Sequence, residues 1–229
     1  MSVRHSLALV AVLLIPRPTL GGDRLLLAGG EAAEDSYYLY TGVVLPGPGR
    51  ENGRGLLHRY WVDAFGYEYE GGPGTIQADA YGLEAALGYG TSFSSGWASA
   101  YVGLRYTNTD LAPDDPSAEA RGSQTGLKVD VQGEREIAPN WRGNAIASWA
   151  NQQHAYWTRG RLMRTLSPTN ALGAEVVFGG NDESRQKSLG LVYTIRPAGE
   201  RWSVGLKGGY RDEGSTDGAY AGVELGYGF

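Results

Sequence analysis

The chain has 229 residues with a formal net charge of −5, 36 glycines, 15 tyrosines, 6 tryptophans and no cysteine. Glycine is present at roughly twice its usual frequency of about 7%, and the lack of cysteine excludes a disulfide scaffold, a thiolate metal site and a thiol nucleophile. The acidic balance argues against nucleic acid as a partner, and a mean hydropathy of −0.32 with no long apolar run excludes a transmembrane helix in the mature chain.

The first element reads as an address rather than a part of the fold. Arg4 and His5 precede the apolar run Leu7 to Ile15, which Pro16 stops. That is the n-region and h-region of a secretory signal peptide, too short to span a bilayer. Residues 1–21 are expected to be the signal and residues 22–229 the mature domain. The cleavage spacing fits Thr19-Leu20-Gly21 better than Leu26-Leu27-Ala28.

From there the chain alternates with a period of two residues, punctuated by Gly, Pro, Asn, Asp and Ser, and no segment carries a helical stripe. The pattern predicts strands near 24–31, 35–45, 56–70, 75–90, 97–107, 123–135, 141–150, 155–165, 171–179, 186–196, 201–211 and 218–229. In 75–90, Tyr81, Leu83, Ala85, Leu87 and Tyr89 share a face opposite Gly82 and Glu84. In 123–135, Thr125, Leu127, Val129 and Val131 stand opposite Gln124, Lys128, Asp130, Gln132 and Glu134. In 201–211, Trp202, Val204, Leu206 and Tyr210 stand opposite Ser203, Gly205, Lys207 and Gly209. Gly179-Gly180 and Gly208-Gly209 read as bulges or turns. Connections alternate too: tight turns at 93–96, 138–140, 167–170 and 197–200, with acidic, mostly longer ones such as Asp110 to Arg121 between them. The segment Pro46 to Gly55 breaks this rule, being long where a short turn is expected.

Periodicity does not say which face points inward, because a soluble barrel packs its apolar face inside and a membrane barrel puts it outside. Three features favour the membrane. The last strand ends in Phe229, on one face with Tyr227, Leu225, Val223 and Ala221, which resembles the assembly signal of outer-membrane proteins. Trp97, Trp141 and Trp202 follow short turns while Tyr106, Trp149 and Tyr210 lie at far strand ends, as two aromatic belts require. The opposite faces carry Glu84, Lys128, Asp130, Glu134, Arg142, Glu175 and Lys207, which suits a wet lumen. The expected fold is therefore all-β, a closed antiparallel transmembrane barrel of about 12 strands in the bacterial outer membrane. Its expected partners are outer-membrane lipid and the barrel assembly machinery.

Chemistry is sparse. His58 opens one strand and His154 lies in an outer loop beside Gln152 and Gln153. Neither has the Ser and third group that nucleophilic hydrolysis requires, and no GxSxG occurs. Asp110, Asp114, Asp115 and Glu119 offer hard oxygen ligands, but without EF-hand spacing they read as a solvated loop. No cofactor or metal is expected. Arg159 and Arg161 share a strand face with Trp157, beside Tyr156 and Arg164. Two readings stand: these groups line a path for sugar or anion, or the arginines pair with Glu84, Asp130, Glu134 and Glu175 in a satisfied polar filling.

A family resemblance rests on several short segments: Asn108 to Gly122 (NTDLAPDDPSAEARG) followed by Gly126-Leu127-Lys128, Tyr156 to Arg161 (YWTRGR), Gly173-Ala174-Glu175 leading to Gly180-Asn181-Asp182-Glu183, and Ala28-Gly29-Gly30-Glu31 leading to Tyr37-Tyr38. Together they resemble the BcsS family of cellulose-biosynthesis proteins over about residues 24–229. The resemblance implies an outer-membrane barrel in bacterial cellulose export or its regulation, with cellulose or the cellulose synthase complex as partners and no catalytic residues. Three readings follow: a non-enzymatic accessory of cellulose or exopolysaccharide secretion, a general small-solute porin, and a barrel hydrolase acting on lipid or glycan.

Overall fold

The structure, a computed structural model, describes residues 24–71, 74–182, 184–213 and 217–229. The expected signal peptide lies outside the described residues. Twelve antiparallel strands follow in chain order: β1 (Leu25–Ala32), β2 (Ser36–Pro46), β3 (Gly55–Gly71), β4 (Gly74–Phe93), β5 (Gly96–Ala112), β6 (Gly122–Ala138), β7 (Trp141–Ala150), β8 (Tyr156–Ser167), β9 (Asn170–Gly180), β10 (Arg185–Ile195), β11 (Trp202–Asp212) and β12 (Asp217–Gly228). Each pairs with its sequence neighbours, and β1 closes on β12 from Leu25↔Gly228 to Ala32↔Ala221. Closure leaves no edge, so every strand finds partners for its backbone amides and carbonyls on both sides.

Faces follow the two-residue alternation. Leu87, Val102, Leu104, Val131, Leu189 and Leu191 point outward and are each more than half exposed. A continuous apolar band of this kind is anomalous in water and matched in hydrocarbon. Inward positions instead hold buried charges and small residues, among them Arg59, Asp63, Glu84, Asp130, Glu175 and Arg211. Outward aromatic groups mark the band's limits, with Trp202 and Tyr89 toward the end that carries both termini and Trp149, Tyr156 and Tyr210 toward the far end. Trp97 departs from the expected belt. It shares a face with buried Ser99 and Tyr101 and pairs with Glu134, so the register turns it toward the lumen. Gly208-Gly209 is no bulge either, since β11 runs in unbroken register with both neighbours there.

The wall has two heights. Strands β3 to β6 run 17 to 20 residues, whereas the others run 8 to 12. At the far end Lys128 pairs with Ala150, the last residue of β7, so residues 122–127 stand above it. On the other flank Ser36 pairs with Tyr67, leaving 68–71 above the start of β2. The long connection 47–54 at the opposite end is folded on itself by the bridge Glu51↔Arg54.

Glycine abundance has a packing reason on the inner wall. Tyr40 lies over Gly29, Trp61 over Gly42, Tyr101 over Gly88 and Tyr220 over Gly190. A Cβ at Gly42 would stand 2.0 Å from a Trp61 ring carbon, so only glycine admits this ring.

Candidate functional site in the lumen

Inward side chains assemble two charge networks. On the tall wall, Arg59 of β3 donates to Glu84 of β4 at 2.5 Å and also reaches Asp130 of β6. Lys128 of β6 donates to Glu84 at 2.7 Å and stands 3.7 Å from Asp130. Beside them Arg105 of β5 grips Asp63 of β3 through two hydrogen bonds of 2.8 and 2.9 Å. The Arg59 guanidinium caps Tyr101 at 4.5 Å from the ring centroid. These groups are largely withdrawn from water, with the side chains of Glu84 and Asp63 each 1% exposed. Charges in such surroundings persist only when paired.

The second network spans the low wall. Arg161 of β8 makes a fork of 2.7 and 2.6 Å to Glu224 of β12, and also bonds Glu175 of β9. Arg159 stands 3.4 Å from Glu224 and 3.8 Å from Glu175, donates to Asn144 at 3.2 Å, and leaves its buried Nε without a hydrogen-bond partner among the described residues. Lys207 of β11 lies 2.5 Å from Glu31 of β1 and 3.4 Å from Glu224. Arg211 pairs with Glu31 and caps Tyr220 at 4.9 Å. Because β8 and β12 are separated by three intervening strands, the Arg161–Glu224 fork runs through the lumen rather than along the wall.

The expected lumen residues all lie on inward faces, though not in one network. Arg159 and Arg161 pair with Glu175 and Glu224, not with Glu84, Asp130 and Glu134, which belong to the tall wall. Trp157 lies on the same face, 5.7 Å under the Arg159 guanidinium. Glu134 and Arg142 form a looser 3.4 Å pair, half-exposed toward the end that carries the termini. Glu31, Arg59, Asp63, Arg105, Arg211 and Glu224 join these networks without standing out in the sequence. Their signal was available in the alternation, since Arg59, Trp61 and Asp63 interleave with outward Tyr60 and Val62. Tyr227 and Phe229 lie outward and stack at 6.1 Å, and the Phe229 amide donates to the Arg24 carbonyl at 3.0 Å.

The far mouth is narrowed by a short 3-10 turn, Gln152–His154, which folds over Gly126 on the inner face of β6. The Asn151 side-chain carbonyl accepts the Leu127 amide at 2.8 Å and Gln152 donates to the Arg105 carbonyl at 3.1 Å. His154 Nδ1 stands 2.8 Å from Asp182, and this hydrogen-bonded contact holds the imidazole above its ordinary pKa. No serine hydroxyl is bonded to His154 among the described residues. In the acidic loop Asp114 is taken by Arg121 at 2.7 Å, while Asp115 accepts the Ser117 hydroxyl and amide. Among the described residues no group of three or more His, Asp or Glu is arranged to hold a metal ion.

Comparison with known proteins fits this picture. Among curated proteins none matches the sequence. Among solved structures, an outer-membrane channel of the COG4313 group from Pseudomonas putida F1 aligns with a TM-score of 0.57 at 11% identity, covering 95% of this chain and 100% of that one. The translocator domain of the autotransporter NalP from Neisseria meningitidis aligns at 0.52 and 12% identity, covering 91% and 89%. The KdgM porin aligns at 0.51 and 9% identity, covering 90% and 99%. At these identities the likeness is one of fold. The family profile described as cellulose biosynthesis protein BcsS matches residues 25–229, spanning all twelve strands. The chain therefore belongs to the BcsS family of cellulose biosynthesis proteins, and it is an outer-membrane β-barrel.

Proposed function

We propose that this barrel is a non-catalytic accessory of cellulose secretion whose lumen handles the polymer. The observation that carries the reading is a lumen crossed by an ion-pair network within a family tied to cellulose biosynthesis. Side chains that cross a lumen and are only 11% and 17% exposed, as Arg161 and Glu224 are, obstruct free diffusion. They also present hydrogen-bonding groups to anything that passes. Cellulose or components of the synthase complex are the proposed partners, and the outward Tyr227–Phe229 terminus is the proposed signal to the assembly machinery.

Deleting the gene in a cellulose-producing host is expected to lower Congo red binding, with recovery on complementation. Unchanged output would sink the proposal. Deleting Phe229 is expected to lower the inserted fraction while the molecules that do insert keep their heat-modifiable migration. A general porin is the second reading, favoured by the likeness in fold to the COG4313 channel and the KdgM porin. Planar-bilayer recording separates the two, since a porin conducts steadily in simple salt without any oligosaccharide.

A further inference from the structure

Tyr40, Trp61, Tyr101 and Tyr220 lie over inner-wall glycines, yet they differ in what else they meet. Arg59 caps Tyr101 at 4.5 Å and Arg211 caps Tyr220 at 4.9 Å. Among the described residues no guanidinium or ammonium group lies over Tyr40 or Trp61. These two instead stack on each other, with centroids 4.9 Å apart and planes 11° apart, and Tyr38 adjoins Tyr40 at 5.6 Å. Backed by Gly29 and Gly42 on the inner wall, the two parallel rings overlap in an offset stack, a stepped aromatic platform on the lumen side of the sheet.

Polar groups rim the platform. The Tyr38 hydroxyl stands 3.5 Å from Asp63 and 3.4 Å from the Trp61 Nε1 that donates to it. Glu224, Arg159, Arg161 and Glu31 are the charged neighbours of the Tyr40 hydroxyl. One of them, Arg159, carries the buried Nε donor without a hydrogen-bond partner among the described residues.

We infer that the Tyr40–Trp61 platform is a binding subsite for a neutral β-linked hexose chain, an assignment that rests on the secretion function proposed above. The apolar face of a pyranose ring matches a flat aromatic surface, and its equatorial hydroxyls reach sideways to donors and acceptors at the rim. Neutrality follows from the charge pattern. Each lumen carboxylate and cation named above already has an opposite partner within 4 Å, so a charged polymer would have to break pairs, whereas hydroxyls add bonds to groups already paired. The unbonded Arg159 Nε is a donor that a sugar oxygen would satisfy.

Calorimetric titration of the whole mature barrel in detergent with cellohexaose tests the inference, with oligogalacturonate as the acidic control. Cellohexaose is expected to bind, Tyr40→Leu and Trp61→Ala to weaken it at least tenfold, and Trp61→Phe to restore most of the loss. Heat-modifiable migration must be kept in every variant counted. If Trp61→Ala does not fold, Tyr40→Leu and Trp61→Phe still decide the matter. Equal affinity in wild type and variants overturns the platform while leaving the secretion function intact. Absence of cellohexaose binding, or preference for the acidic oligomer, overturns the subsite as well. Cellulose output in the deletion strain judges the secretion function independently.

Discussion

The two lumen networks use the same residue types but distribute them differently. On the tall wall, Asp63 and Arg105 form an ion pair of their own, beside a shared group in which Glu84 and Asp130 both face Arg59 and Lys128. On the low wall, Glu224 and Glu175 each face Arg159, Arg161 and Lys207. An exclusive pair leaves a bare buried charge when one member is lost. A shared net redistributes its remaining partners. The Asp63–Arg105 pair is thus built to be held in one arrangement, and the low-wall net to survive rearrangement in the middle of the lumen.

The largest effect is expected where pairing is exclusive. Asp63→Ala strands the Arg105 guanidinium and should cost about 3–5 kcal/mol, read from the urea midpoint of the heat-modifiable band. Next comes the lipid face. Leu206→Arg, midway along β11, should cost about 2–4 kcal/mol near the bilayer midplane, whereas Gln132→Arg on an inward face should cost much less. Equal penalties would contradict the inside-outside assignment. In the shared net, Arg161→Ala should cost about 1–3 kcal/mol, because Arg159 and Lys207 remain beside both carboxylates. That variant should nevertheless raise bilayer conductance, and Asp63→Ala should raise it less. If the two variants prove equally destabilising, the contrast between the networks fails.

The smallest effect lies at the mouth. Asp182 holds the His154 imidazole above its ordinary pKa, so the tie is fully present below the usual histidine range and is lost as pH rises through the raised value. Protease clipping beside Gln153 and His154 should therefore increase from pH 5 to pH 8 in the wild type. In His154→Ala it should be high at both, and a flat wild-type profile would remove the tie from the account.

The twelve strands were legible because lipid outside and charge inside impose a strict two-residue alternation. Legibility faded where lipid no longer acts. Strand β5 continues to Ala112, five residues past its expected end, because Asn108, Thr109 and Asp110 look like loop but still pair with β4. Lumen partners were harder to read. Alternation says that Arg161 points inward, but which carboxylate it meets depends on how the closed cylinder brings β8 to face β12. Glu224 therefore passed as one polar residue among the glycines of the last strand, although three cations surround it. Trp97 misled for the opposite reason: its place after a turn suggested a belt, and only the unbroken register of β5 assigns it to the inner face.

If the lumen carries a chain, as proposed, the unequal wall sets the side on which it leaves the far mouth. At about 3.4 Å per residue and a tilt of about 40°, the 11 residues of β10 climb about 28 Å, close to the hydrocarbon thickness. The 20 residues of β4 climb about 50 Å. The rim is thus a slanted cut, with a sheet standing well above the bilayer on one side and water opening near membrane level on the other. A chain threading the lumen would emerge propped along one flank and free to swing away from it, so it would leave sideways, skimming the cell surface rather than standing upright from it.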